Sequence, residues 1–105
     1  MGTQFEHVSI GKKANIYHDG QCISYELTFP GHTRKTLGVV LRDTVPFRAD
    51  VAETVEIVAG RCRVRVGESG DWATYEPGQR FDVGRNVRFE LEALEPVHYV
   101  CHLSS

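Results

Sequence analysis

No stretch of this 105-residue chain stays apolar for the ~20 residues that a helix needs to cross a bilayer. The first residues, MGTQFEH, hold no signal-peptide core, and Glu6 stands where a myristoylation signal needs Ser or Thr. The expectation is a cytoplasmic protein. Charge of one sign is lacking too: 12 Lys and Arg against 14 Asp and Glu leave a net charge of -2. Nothing in that balance calls for nucleic acid or an anionic membrane as partner. Cysteine is scarce, with three widely spaced thiols, Cys22, Cys62 and Cys101, and no CxxC pair. An odd count without secretory features reads as reduced, buried thiols that serve as small core hydrophobes. GxSxG, the phosphate-binding GxxxxGK[ST] and the dinucleotide fingerprint are all missing, so hydrolase, NTPase and dinucleotide-enzyme readings have no residues to stand on.

Helical periodicity is missing as well, and a period of two takes its place. Cys62, Val64 and Val66 alternate with Arg61, Arg63 and Arg65; Val87, Phe89 and Leu91 alternate with Arg88, Glu90 and Glu92. Val97, Tyr99, Cys101 and Leu103 form a third such row, and Ile23, Tyr25, Leu27 and Phe29 a fourth, opposite Ser24, Glu26 and Thr28. Each is the pattern of a half-buried antiparallel strand with its apolar row toward the core. Leu37 to Leu41 is apolar on both faces and predicts a central strand; Thr54 to Ala59 predicts another. Turn signals separate these runs at HDG (18–20), PGH (30–32), AGR (59–61), GESGD (67–71) and PGQ (77–79). The chain is thus expected to be all-β and one domain over residues 1–105, with an ordered core from about 5 to 103, folded as a sandwich or barrel. The Arg61, Arg63, Arg65 row could hold phosphate, but reads better as a solvated face paired across strands with Glu90 and Glu92.

Glu53, then TVEIVA, then Gly60 resembles the first motif of the cupin superfamily, a jelly-roll fold in which glutamate precedes glycine by this spacing. The two histidines that should precede the glutamate are absent from VPFRADVAE, and Phe89 stands at the position of a fourth ligand. A single carboxylate cannot hold a transition ion, which needs three or four converging donors. His98 and His102 share a strand face but lie roughly 13 Å apart, and His7, His18 and His32 fall in loops or strand ends. No metal or other cofactor is expected, which counts against a metal-dependent oxygenase or isomerase.

The segments TFPGHTRKTLGVVL, ETVEIVAGRCRVRV, GDWATYEPGQRFDV and EPVHYVCHL, taken in order, resemble one family closely: the small cupin-like pyrimidine/purine nucleoside phosphorylases. That resemblance runs from Phe5 to Leu103. It implies a metal-independent homodimer that takes nucleosides and inorganic phosphate to free base and ribose 1-phosphate. The chain departs from the family pattern at VGRNVRF, where Gly84 replaces a proline and Arg85 a small residue.

Such a reaction needs phosphate held beside the anomeric carbon, tolerance of positive charge on the ribose, and a hydrogen bond to the departing base. Arg34, Lys35, Thr36 and, more weakly, Arg48 are the candidates for phosphate, with a ligand-free charged hairpin edge as the competing reading. Glu53 is the candidate for the ribose, against a surface acid that merely begins a strand. Glu56, three residues on, should face the other way. Phe47, Phe89 and Tyr99 could stack on the base and Asn86 could bond its edge, although inward aromatics are usually just core. Trp72 and Tyr75 are expected to cover one end of the sandwich or to join a dimer contact. A non-catalytic small-molecule-binding cupin remains the alternative, because fold does not dictate function.

Overall fold

A computed structural model describes residues 3–68 and 70–104, so that Ser69 of the GESGD turn and the chain ends lie outside the described residues. Eleven strands follow one another in it: β1 (Ser9–Ile10), β2 (Asn15–Tyr17), β3 (Cys22–Thr28), β4 (Arg34–Val40), β5 (Asp43–Arg48), β6 (Glu53–Ala59), β7 (Cys62–Val66), β8 (Ala73–Tyr75), β9 (Arg80–Val83), β10 (Arg88–Ala93) and β11 (Val97–Leu103). The HDG signal forms a turn of 3-10 helix, His18–Gly20, between β2 and β3. Seven strands make one antiparallel sheet in the order β1-β3-β4-β11-β6-β9, with β2 also on β3; the other four make a second sheet, β5-β10-β7-β8. The expected sandwich is present, and β4 is central, lying between β3 and β11.

The core fills the space between the sheets. Val45, Val64, Phe89 and Leu91 from the smaller sheet meet Val40, Val55, Ile57, Phe81, Val83, Val97 and Tyr99 from the larger. All three cysteines are free and buried, and Tyr75 packs on Phe81 with ring centroids 4.9 Å apart. Gly60 allows the β6–β7 turn: its φ is +83°, and a β-carbon there would stand 2.1 Å from the carbonyl oxygen of Pro96. The Glu-to-Gly spacing seen in the sequence therefore marks a backbone crossing that no side chain can enter.

On the outside of the smaller sheet, Arg63 donates to Glu92 at 2.6 Å and Arg65 to Glu90 at 3.1 Å, the cross-strand pairing expected for this row. Trp72 lies on the same row, its ring centroid 5.0 Å from the Arg63 guanidinium and 5.2 Å from that of Arg65. It stacks on arginines across the sheet face instead of closing an end of the sandwich, because two cations over its ring hold it there.

One expectation is reversed. In β3 the polar row, Ser24, Glu26 and Thr28, lies on the side between the sheets, and Ile23, Tyr25 and Leu27 lie on the other side, where Leu27 is covered to 2% exposure. The register gives the reason. Ser24 pairs with Gly38 and Gly38 with Tyr99, while Glu26 pairs with Thr36 and Thr36 with Cys101. Tyr99 and Cys101 are inward and buried, so Ser24 and Glu26 must be inward as well. At this end the sheets are not filled by side chains, and a polar row lines the space between them.

Candidate active site

That space is a cavity of about 270 Å³, near the small end of the range for ligand sites. Its floor is the inner face of β3, β4 and β11, and its rim comes from the end of β5 and the β5–β6 connection. Successive inward positions along the strands form rungs. Thr28 pairs with Arg34, and Leu103 with Glu53, at the open end. Glu26, Thr36 and Cys101 form the next rung; Asn15, Ser24, Gly38 and Tyr99 form the one beyond. The cavity therefore grades from charged to aromatic and uncharged polar along its length.

At the charged end, Arg34 and Arg48 come from different sheets and are both exposed at the rim. Neither is in an ion pair among the described residues, although Glu26, Asp50 and Glu53 line the same cavity. Glu53 is partly buried below them. Burial pushes its carboxyl pKa up and the charge of Asp50 adds to this, while a hydrogen bond from the Cys101 thiol, 3.7 Å to Oε1, pulls it back. Cys101 in turn is pushed up to about 12, by burial first and by the Glu53 charge second. At neutral pH it is a thiol that donates, not a thiolate.

At the other end Tyr99 is buried, with its hydroxyl 3.5 Å from the Cys22 sulfur. Burial raises its pKa far above the ordinary range, so the phenol keeps its proton. Gly38 makes the room: a β-carbon at that position would lie 2.5 Å from the Tyr99 oxygen. Phe47 reaches the cavity from β5 and meets Tyr99 edge-on at 6.3 Å.

Of the residues singled out in the sequence, Arg34, Thr36, Arg48, Glu53, Phe47 and Tyr99 are brought together here. Lys35 lines the cavity only along its strand. Its ammonium is on the opposite face of the sheet, where it donates to His102 Nδ1 at 2.7 Å and sits over the rings of Phe5 and Phe29. Because an ammonium can only donate, His102 must accept at Nδ1 and donate from Nε2 to Glu56, 2.8 Å away. Glu56 thus faces away from Glu53, as expected. Phe89 does not reach this cavity; it stacks on Phe47 at 5.0 Å and braces that ring from within the core. Asn86 is in the exposed β9–β10 turn with φ +65°, tied by its backbone N–H to Ala49 O at 2.7 Å. Gly84 and Arg85 belong to that same turn and do not line the cavity. Asn15, Tyr17, Ser24, Glu26 and Asp50 line it without having been singled out. Asn15 and Tyr17 are in a three-residue strand too short to show alternation. Ser24 and Glu26 carried a signal, the polar row of β3, but it read as solvent-facing.

Among the described residues no group of three His, Cys, Asp or Glu side chains is close enough to hold a metal ion, and no histidine lines the cavity. The fold is a cupin-like jelly roll, and its cavity is a charged-to-aromatic pocket. Comparison with known proteins narrows this further. The model of the pyrimidine/purine nucleoside phosphorylase family matches residues 12–103. The pyrimidine/purine nucleoside phosphorylase of Janthinobacterium sp. (strain Marseille) is 47% identical over 102 residues, covering 97% of this chain and 98% of that protein. Its counterpart in Cupriavidus metallidurans is 49% identical, covering 95% and 97%. This chain belongs to the pyrimidine/purine nucleoside phosphorylase family. A crystallised protein of unknown function from Acinetobacter sp. ADP1 superposes with a TM-score of 0.92 at 42% identity, over 96% of this chain and 98% of that one. The hydroxypropylphosphonic acid epoxidase of S. wedmorenis superposes with a TM-score of 0.73 over 88% of this chain and 55% of its own; at 12% identity the likeness is one of fold alone.

Proposed function

We propose that this protein, acting as one domain, cleaves purine and pyrimidine nucleosides with inorganic phosphate to free base and ribose 1-phosphate, and needs no metal to do so. The observation that carries the reading is the placement of two guanidiniums outside any ion pair, Arg34 and Arg48, with a carboxyl, Glu53, at one end of a cavity whose other end is aromatic. A phosphate at the rim accepts from both arginines and from the Thr36 hydroxyl. Held there, it is aligned with the anomeric carbon, and alignment replaces the entropy of an encounter. A phosphate oxygen forms the new bond to that carbon as the glycosidic bond breaks, and its electron pair leaves with the base nitrogen. The ribose gains positive character on the way, which the Glu53 carboxylate stabilises while it accepts from sugar hydroxyls. Phe47 and Tyr99 offer faces on which any base can stack, and the proton that hydrogen phosphate gives up as it bonds to the carbon neutralises the departing base.

Lys35 and Asn86 have no place in this scheme, and Phe89 acts only by bracing Phe47. Metal independence is supported by the donor set, in which Glu53 stands without the histidines a cupin centre requires. Three free cysteines favour a reducing compartment, hence the cytoplasm.

The test is direct. Purified protein is incubated with uridine or adenosine, with and without phosphate, and with EDTA present. Base and ribose 1-phosphate that appear only with phosphate, and persist in EDTA, are the expected result. No product from a panel of common nucleosides would leave a binding protein and overturn the enzyme.

A further inference from the structure

The uncharged end of the cavity holds a polar pair with no role in the scheme above. Asn15, in the edge strand β2, pairs in register with Ser24 on β3, and both side chains line the cavity. Ser24 is 3% exposed and is the one buried polar residue among those described. The Asn15 amide Nδ2 donates to its Oγ at 3.5 Å. That bond turns the carbonyl end of the amide away from Ser24. Tyr17 and Tyr99 close the same end. From the Thr28–Arg34 rung to Ser24 is four residues along β3, about 13 Å. A base whose ribose is beside Glu53 would reach toward this pair with the edge farthest from the sugar.

We propose that Asn15 reads the exocyclic group of the base, and that Ser24 lets it read either kind; this rests on the phosphorylase reading. A hydroxyl both donates and accepts, and an amide has one end of each sort. With Nδ2 on Ser24, the Asn15 carbonyl faces the cavity and accepts from the amino group of adenine or cytosine. With the amide turned over, Ser24 donates to Oδ1, and Nδ2 donates to the oxo group of hypoxanthine, guanine or uracil. Both settings leave every polar atom of the pair bonded, so neither class of base pays a penalty for an unmet buried group. An amide backed by a hydroxyl thus gives tolerance across bases from a fixed backbone.

The decisive variant is Asn15→Asp, which keeps the shape and removes the donor. One carboxylate oxygen can still accept from Ser24, and the other faces the base as an acceptor only. Adenosine against inosine, and cytidine against uridine, are pairs that differ at the exocyclic group. The kcat/KM ratio of adenosine to inosine, and of cytidine to uridine, should each rise at least about tenfold in Asn15→Asp, as loss of a buried hydrogen bond predicts. Ser24→Ala should lower all four together, because it removes the backing and not the choice. Ratios that stay within about twofold of wild type, with the melting temperature of Asn15→Asp preserved, overturn the proposal. Calorimetry with free adenine and hypoxanthine, without phosphate, separates this from the parent reading. If wild type turns over no nucleoside, phosphorolysis falls, yet a switch of free-base preference in Asn15→Asp sustains the assignment and its absence overturns it.

Discussion

Glu53 sits where its charge is costly, and the cost has a readable sign. Burial raises its folded pKa above the ordinary 4.5, so between the two values the folded protein holds a proton that the unfolded chain has released. Stability contributed through this group therefore falls as pH climbs from about 4.5 through the raised folded value. Glu53→Gln removes the charge and keeps the shape. It should raise the melting temperature at pH 7 and flatten its fall with pH, while phosphorolysis drops by two or more orders of magnitude; calorimetric melts from pH 4 to 8 and a phosphate-dependent assay check both. The arginines and Lys35 make a sharper contrast. Arg34→Ala removes a charge-assisted bond to phosphate, so the KM for phosphate should rise about 10- to 100-fold. Lys35→Ala should leave that KM within about threefold, because the ammonium faces His102 across the sheet. The sequence already held this distinction: in a strand, Arg34 and Thr36 share a face and Lys35 does not. Treating RKT as one basic motif hid it.

Strands and turns were legible from the alternation of apolar residues, because most rows in this protein do turn their apolar side to the core. β3 was legible as a strand but its facing was not, and the inversion has a physical cause. Alternation points inward only where the interior is filled; here the sheets enclose a cavity, and the inward positions Ser24 and Glu26 must suit water or substrate. The apolar row of β3 lies on the outside instead, where burial depends on what covers it. Two glycines show how closely the strands are fitted. Gly38→Ala would put a β-carbon into the Tyr99 hydroxyl at 2.5 Å, so the ring must leave its place. The expected result is a loss of about 1–3 kcal/mol in urea denaturation, with a raised KM for nucleosides and an unchanged KM for phosphate. Gly60→Ala meets backbone rather than a movable ring, in a left-handed conformation, and should cost more stability than Gly38→Ala. Neither the cavity nor these notches could be read from composition, since each depends on which strand lies across from which.

At the scale of the whole molecule, the outer face of the larger sheet, beside its polar row of Lys35, His102 and Glu56, carries an apolar stretch that the outside of the smaller sheet lacks. The smaller sheet carries Arg63, Arg65, Glu90 and Glu92 in solvated pairs. The larger presents Tyr25, Leu37 and Val39, with Tyr25 opposite Leu37 and Leu37 opposite Val100, and its edge adds Ile10 and Ile16. Leu37 is 41% exposed and Ile16 66%. An apolar stretch of this kind suits association, and a second copy of the chain is the occupant we predict for it. Two copies related by a two-fold axis would place each face on its own counterpart, and a net charge of only -2 opposes their approach weakly. Leu37→Glu puts a carboxylate at the middle of that face, where dimerisation would bury it without a partner. Light scattering on wild type should give a mass near twice the 11.8 kDa chain, and Leu37→Glu should run as the monomer. The cavity lies on the opposite face of the same sheet, so the monomeric variant should keep kcat/KM within about tenfold of wild type. A monomer that lost activity altogether would mean that the second copy braces β4, the strand that carries Arg34 and Thr36 inward and Leu37 outward.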